Sequence, residues 1–255
     1  MAIRIHALAV SIPGLRAFRW STDGPYTAMK ESYAVGLVER GRTVYLHGGR
    51  EYRCGPGSLH LKQPGDVHRD VALDGPVDIQ VVSFPATVVE SVFGLPGPRR
   101  VEPQLEPNDP RGAPFRRLHA AVRAGAGRLA LEVAVTEAIA AIGEVRDTRS
   151  AHTRAVRHTL DLLRSRFTET VTLDNLAAHA GVDKFRLCRA FRAEVGMPPH
   201  TYLTHLRVVR AKALLAAGAP PREVAAEVGF YDQSQLHRHF RRIVGTTPGR
   251  FARSA

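Results

Sequence analysis

The chain has 255 residues, 44% of them apolar and 24% charged, with 36 Lys and Arg against 24 Asp and Glu. That length and apolar share fit one large or two modest globular domains, and the lack of a long apolar run argues against a membrane-spanning helix. Two cysteines, Cys54 and Cys188, far apart and in unlike contexts, argue against a disulfide scaffold.

The opening residues MAIRIHALAVSIPGLRAF hold an Arg inside the apolar part and no clear small-residue cleavage site, so no secretory signal is expected, and the two unlike cysteines fit a reducing cytoplasm. From Tyr33 to Phe84 the chain reads as short strands: YAVGLVERG, TVYLHGG, REYRCGPG, SLHLKQPG and PVDIQVVSF. Gly or Pro breaks at intervals of roughly 8–12 residues predict a β-barrel or sandwich. GLPGPRRVEPQLEPNDPRGAP, Gly94 to Pro114, is rich in Pro and Gly and predicts irregular loop. Helical spacing follows, first Phe115, Leu118 and Val122, then a stripe through Leu131, Val135, Ala138, Ile139 and Ile142. RDTRSAHTR reads as a polar linker, which puts a domain boundary near Asp147 to Thr153 and gives domains 1–148 and 154–255.

Charge separates these two parts. Residues 1–150 hold 19 Lys and Arg against 16 Asp and Glu, whereas residues 151–255 hold 17 against 8. A basic domain attached to a near-neutral one points to a polyanion, and first to nucleic acid.

The basic part contains one unit twice. NLAAHAGVDKFRLCRAFRAEVGMPPHTY runs from Asn175 to Tyr202, and EVAAEVGFYDQSQLHRHFRRIVGTTPGRF from Glu223 to Phe251. Each has an Ala pair that lets helices approach, a Gly where a helix must end, and Leu and Phe four apart (Leu187/Phe191, Leu236/Phe240) that face one core. That is the pattern of a helix-turn-helix. Asp183 and Asp232 stand where the second helices begin, Asp232 with Gln235 resembles a capping box, and Thr172 is the expected N-cap of the upstream first helix. Between the units YLTHLRVVRAKALLAAG predicts a helix of about 16 residues, roughly 24 Å long. Leu203, Leu206, Val209 or Arg210, Ala213 and Leu214 trace its expected face. Such a rod suits two recognition helices in successive major grooves, about 34 Å apart. Opposite the Leu/Phe pairs lie Lys184, Arg186 and Arg189 in one unit and Gln233, Gln235, His237 and Arg238 in the other. Gln and Arg read base edges, and Arg also binds phosphate.

From about Val171 to Arg253 these residues resemble the DNA-binding domain of AraC/XylS-type transcription regulators. The string from Glu223 to Phe251 carries the resemblance: an Ala-containing helix, Gly-Phe, an Asp-x-Ser turn, a Phe-ended helix, Gly-x-x-Pro and a terminal aromatic. The resemblance implies seven helices, with Phe185, Arg186, Cys188 and Arg189 presented by the first recognition helix and Gln233, Ser234, Gln235, His237 and Arg238 by the second. Cys188 departs from the polar residues often found at its position. More weakly, about residues 15–90 resemble the cupin-like sensor barrel of the same family, chiefly through Gly57 and Gln63-Pro64-Gly65-Asp66-Val67-His68. It implies an α+β multidomain protein with an N-terminal cupin-like β-barrel and helical dimerisation segment (Pro114 to Val145), then an all-α domain with two helix-turn-helix motifs joined by a linker helix.

A catalytic cupin needs a His-x-His pair and a Glu before its later His. His68 matches the later His, but TAMKESYAVG holds no such pair, and His47 and His60 are isolated. No metal, cofactor or catalytic residue is therefore expected. A small-molecule pocket is, lined by Trp20, Tyr26, Tyr33, His60 and His68. The resemblance implies in addition an arm before Trp20 that closes over the ligand and reaches the DNA-binding domain. The expected protein is a cytoplasmic, effector-responsive regulator of AraC type. Its expected partners are double-stranded DNA, a second copy of itself and, if it activates, RNA polymerase, with no membrane partner. The alternatives are a ligand-independent regulator whose barrel only dimerises, and a cupin-like enzyme with a DNA-anchoring domain.

Overall fold

A computed structural model of the chain describes residues 3–93, 101–145 and 152–254. The chain divides into two compact units, Met1–Ala151 and His152–Ala255. The expected boundary and the polar linker before it fall mostly on residues outside those described.

The first unit is one antiparallel sheet backed by helices. Its strands are β1 (Ile3–Leu8), β2 (Arg16–Thr22), β3 (Thr27–Met29), β4 (Tyr33–His47), β5 (Arg50–Cys54), β6 (Leu59–Lys62), β7 (Val67–Phe84) and β8 (Gln104–Leu105). The hydrogen-bonded order is β1-β2-β7-β4-β6-β8, with β3 added to β7 and β5 to β4. The long strands β4 and β7 change neighbours part-way. Residues 34–37 of β4 pair with β6, and residues 43–47 pair with β5. Register shifts between Val38 and Arg42 mark the change. Such irregularities bend a strand and let one ladder serve two sheets. The sheet thus curls barrel-like over an inner face, although its hydrogen-bonded path stays open.

The inner face holds Trp20, Val38, Tyr45, Cys54, Val77 and Ile79. The other face of the β2, β4, β6 and β7 segment carries Ala17, Tyr33, Val35, Leu59, Leu61, Val82 and Phe84. This face packs on α1 (Ala86–Phe93), α2 (Ala113–Arg123) and α3 (Arg128–Glu144) through Val89, Phe115, Leu118, Leu131, Ala138 and Ile142. Residues of β6 are therefore buried on both faces.

Several sequence expectations change here. YAVGLVERG and TVYLHGG form one strand, because Gly41 serves a bend rather than a stop. The arm before Trp20 is a β1–β2 hairpin, with β2 in full register on β7 from Arg16↔Ser83 to Thr22↔Val77. The Pro/Gly-rich stretch is tied down from Val101 onward; residues 94–100 lie outside those described. The Pro103 carbonyl accepts from Leu61 N and Tyr45 Oη, both at 3.0 Å, and β8 pairs with β6.

Seven helices fill the described residues of the second unit: α4 (Arg154–Ser165), α5 (Leu173–Ala180), α6 (Lys184–Val195), α7 (Pro199–Ala216), α8 (Pro221–Glu227), α9 (Gln233–Val244) and α10 (Pro248–Ser254). The pairs α5/α6 and α8/α9 are the two helix-turn-helix units, and α7 joins them. Leu187, Phe191, Leu236 and Phe240 are fully buried. Each unit closes on an edge-on aromatic pair, Phe191 with Tyr202 at 5.8 Å and Phe240 with Phe251 at 5.5 Å. Thr172 caps α5 reciprocally with Asn175, and Asp183 accepts from the backbone N–H of Phe185 and Arg186.

Two details depart from the sequence reading. Asp232 Oδ1 accepts from Gln235 N at 2.6 Å, but the Gln235 side chain bonds Tyr231 N at 2.9 Å rather than the N-cap amide. The buried face of α7 runs through Tyr202, Leu203, Val208, Ala211 and Leu215. Leu206, Val209 and Leu214 are half-buried, while Arg210 and Ala213 are exposed. The helix must serve a core at each end, so its stripe turns along its length.

The turn glycines of the two units differ in surroundings. Both have positive φ, +68° at Gly181 and +85° at Gly229. A Cβ at Gly181 meets open space, whereas one at Gly229 would stand 2.5 Å from the Thr168 carbonyl oxygen. Gly181→Ala should cost about 1–2 kcal/mol of backbone strain, and Gly229→Val about 3 kcal/mol or more from strain and collision together. Urea unfolding of the full chain measures both, and equal losses would contradict the packing at Gly229.

Candidate functional site

Two candidate sites stand out by their geometry: the outer faces of α6 and α9, and the inner face of the curled sheet.

On α6, Lys184, Phe185, Arg186 and Arg189 are exposed, and Cys188 is half-buried. Phe185 stands 73% exposed, so it is no part of the core. On α9, Gln233, Ser234, His237 and Arg238 are exposed. Gln233, Ser234 and His237 share one wall of a groove with Pro221 at the start of α8 and with Thr247 and Pro248 at the start of α10. Gln235 is half-buried and turned to Tyr231 N, so its carbonyl is committed to the cap. Sequence reasoning missed Tyr231, which is 94% exposed beside that cap.

The two helix-turn-helix units meet through the loop between α4 and α5. Arg207 of α7 donates from Nε to Phe167 O at 2.7 Å and from Nη2 to Glu169 O at 2.8 Å. Its guanidinium carbon lies 5.8 Å from the centre of the Phe230 ring, which stacks on His239 at 5.7 Å. Gly229 closes over Thr168 in the same loop.

In the first unit four of the five expected pocket residues converge. Trp20 stands 4.7 Å from Tyr26, Tyr26 5.3 Å from His68, and His68 6.1 Å from His60. Tyr33 does not join them, since strand alternation turns it to the helix-backed face with Val35 and Phe84. The hub is Tyr45, absent from the expected set. It lies 4.9 Å from His60 and 4.7 Å from His68, and Lys62 Nζ sits 4.0 Å over its ring. Lys62 was also missed, although its period-two spacing from His60 on β6 puts both on one face.

The electrostatics of this interior follow from burial. His68 Nε2 is 2.7 Å from Asp70 Oδ1, which also accepts from Thr43 Oγ1 at 3.3 Å. Burial pushes Asp70 up to about 6. It lowers His60 and His68 well below the ordinary imidazole value, with the Lys62 charge adding to both shifts. Burial likewise brings Lys62 down to about 7, partly opposed by Asp66. Among the described residues no three His, Cys, Asp or Glu side chains are grouped to hold a metal ion, and no helix is long and apolar enough to cross a membrane.

Comparison with known proteins assigns both halves. The AraC-like ligand binding domain model matches residues 13–139, and a helix-turn-helix domain model matches residues 176–254. The chain belongs to the AraC family of DNA-binding transcription regulators. Across most of its length this family member is 27% identical, over 216 residues, to the uncharacterized HTH-type transcriptional regulator YbfI of Bacillus subtilis. That match covers 80% of this chain and 78% of YbfI. It is 32% identical over 81 residues to the regulator MtrA of Neisseria gonorrhoeae, 31% of this chain and 27% of MtrA. The chain therefore spans only about a quarter of MtrA. Among solved structures it is similar to ToxT of Vibrio cholerae, 12% identical with a TM-score of 0.48 over 94% of this chain and 97% of that one.

In this AraC-family sensor domain Lys62 is a buried cation without a counter-ion in hydrogen-bond contact. The unfolded chain keeps its proton up to about 10.5 and the fold only up to about 7. Between those values the unfolded state binds the extra proton, so this group makes stability rise with pH. Lys62→Met should stabilise the protein by about 1–4 kcal/mol at or below pH 7, with the gain fading toward pH 10.5. Thermal melts of both proteins across that range measure it; a Met variant less stable at pH 7 would refute the uncompensated charge.

Proposed function

We propose that this AraC-family regulator reads two adjacent major-groove segments of double-stranded DNA with α6 and α9, under control of a small molecule bound by its N-terminal domain. The observation that carries the reading is the paired construction of the second unit: two capped recognition helices, each with a buried Leu/Phe pair and an exposed polar face, on the basic half of the chain. In this reading Gln233, Ser234, His237 and Arg238 meet base edges, and Lys184, Arg186 and Arg189 meet phosphates or guanine edges. Phe185 stacks against the nucleic acid from the rim of α6. Cys188, half-buried, contributes little, and Gln235 holds the turn that presents its neighbours.

Trp20, Tyr26, His60 and His68 form the effector site together with Tyr45 and Lys62. The effector changes transcription only through unequal affinity for two arrangements of the protein. Leu129 and Val133, exposed four residues apart on α3, support this helix as the surface for a second copy. RNA polymerase is the partner where the regulator activates, and the cytoplasm is where it works. The protein acts by binding rather than catalysis, in line with its matched relatives.

Selection from a random DNA pool by the purified chain at two salt concentrations tests the reading. Two short elements about one helical turn apart are expected. No enriched sequence, with binding that vanishes at the higher salt, would leave phosphate attraction alone and sink it. On the selected site, Gln233→Ala or Arg238→Ala should each cost about 1–3 kcal/mol. Unchanged affinity in both would defeat the base-reading assignment.

A further inference from the structure

Among the described residues, three buried nitrogen atoms around Tyr45 on the inner face have no hydrogen-bond partner: Lys62 Nζ, His60 Nε2 and His68 Nδ1. All three side chains are at least 95% buried. They are also arranged around a single ring, Tyr45, with the two imidazole centres within 5 Å of it and Lys62 Nζ 4.0 Å above it. A buried polar atom left unpaired costs stability, so a cluster of three on one inner face marks groups kept for something other than the fold.

Their unmet demand has a definite chemistry. Asp70, titrating at about 6, is ionised at neutral pH and can only accept. Its contact with His68 Nε2 therefore places the ring hydrogen on Nε2, and leaves Nδ1 as a lone pair that needs a donor. Lys62 Nζ can only donate and is best met by an anionic acceptor. His60 Nε2 can take either role. The walls around these atoms are the rings of Trp20, Tyr26 and Tyr45. A separate cavity of about 540 Å³, lined by Thr43, Cys54 and Ser58 among others, lies beside this cluster without being lined by Lys62, His60 or His68. Thr43 bonds Asp70, and Cys54 packs in the Tyr45 core.

We propose that the effector is a small hydroxy acid, its carboxylate on Lys62 Nζ, its hydroxyl donating to His68 Nδ1, and its apolar body against Tyr26 and Tyr45. This rests on the reading of the barrel as an effector site and narrows it to one class of ligand. Lys62 need only rotate off the Tyr45 face to meet the carboxylate, because its stem has four flexible torsions.

Calorimetric titration and thermal shift of the full chain test it with matched sets: glycolate, lactate and mandelate, their amides, and acetate, propionate and phenylacetate. At least one hydroxy acid should bind, with its amide and its deoxy partner each about tenfold weaker or more. Lys62→Met, which is expected to fold well, should weaken the acid about tenfold to a hundredfold, and Lys62→Gln less so. An amide that binds as tightly as its acid, or full affinity in Lys62→Met, overturns the anionic class while leaving a small-molecule sensor intact. If none of the nine compounds binds, the hydroxy-acid assignment falls, and a parallel screen of neutral sugars decides the broader reading: a hit retains the sensor, and no hit removes it as well.

Discussion

Arg207 stands half-buried where the backbone of one helix-turn-helix meets the turn of the other. Its two bonds to the Phe167 and Glu169 carbonyls satisfy acceptors that no helix serves, and its plane lies toward Phe230 in the second turn. Gly229 closes the same seam by bringing one turn against Thr168 closer than any side chain would permit. A guanidinium can do this because its donors form a rigid fork, so both carbonyls are held at once and the loop cannot slide without losing them. The two helix-turn-helix units are consequently tied to one another by direct contacts rather than strung as beads on α7.

The sensor unit follows a different logic. Its long strands β4 and β7 are shared by both halves of the sheet, so one face can be packed against helices while the other encloses polar groups. β6 shows the arrangement in four residues. Leu59 and Leu61 anchor the outer core, and His60 and Lys62 point inward. The outer core carries the stability that lets the inner face hold a lysine, two neutral histidines and a carboxylate at a net cost. A sensor needs such a face, since groups already satisfied by the protein have nothing to offer a ligand.

The second unit was the more legible half of the sequence. Its repeat, the Leu/Phe pairs and the caps at Thr172, Asp183 and Asp232 are local devices whose spacing states their purpose. The barrel was less so. β1 and β2 escaped notice because IRIHAL lies almost wholly on the surface and β2 carries two arginines, so the alternation that marks a half-buried strand is blurred. Gly41 read as a break because only the ladder across β7 reveals a bend. Lys62 and Tyr45 escaped for opposite reasons: a lysine is expected in solvent, and a tyrosine in a strand is ordinary core. Tyr33 was grouped with the pocket because aromatic type alone does not say which face of a strand a residue occupies. What no local pattern carries is the pairing of distant strands, and that pairing decides which side chains share an interior.

The edge-on aromatic pairs that close the two helix-turn-helix units bear on the history of the molecule. Phe191 with Tyr202 and Phe240 with Phe251 occupy equivalent places, as expected of one ancestral segment copied in tandem. The two copies nevertheless stand in unequal surroundings. The turn at Gly181 borders open space, whereas its counterpart at Gly229 is sealed by the backbone of the other half. A side chain at the first turn would meet only the strain of a positive φ, whereas one at the second would have to push apart the two halves of the domain as well.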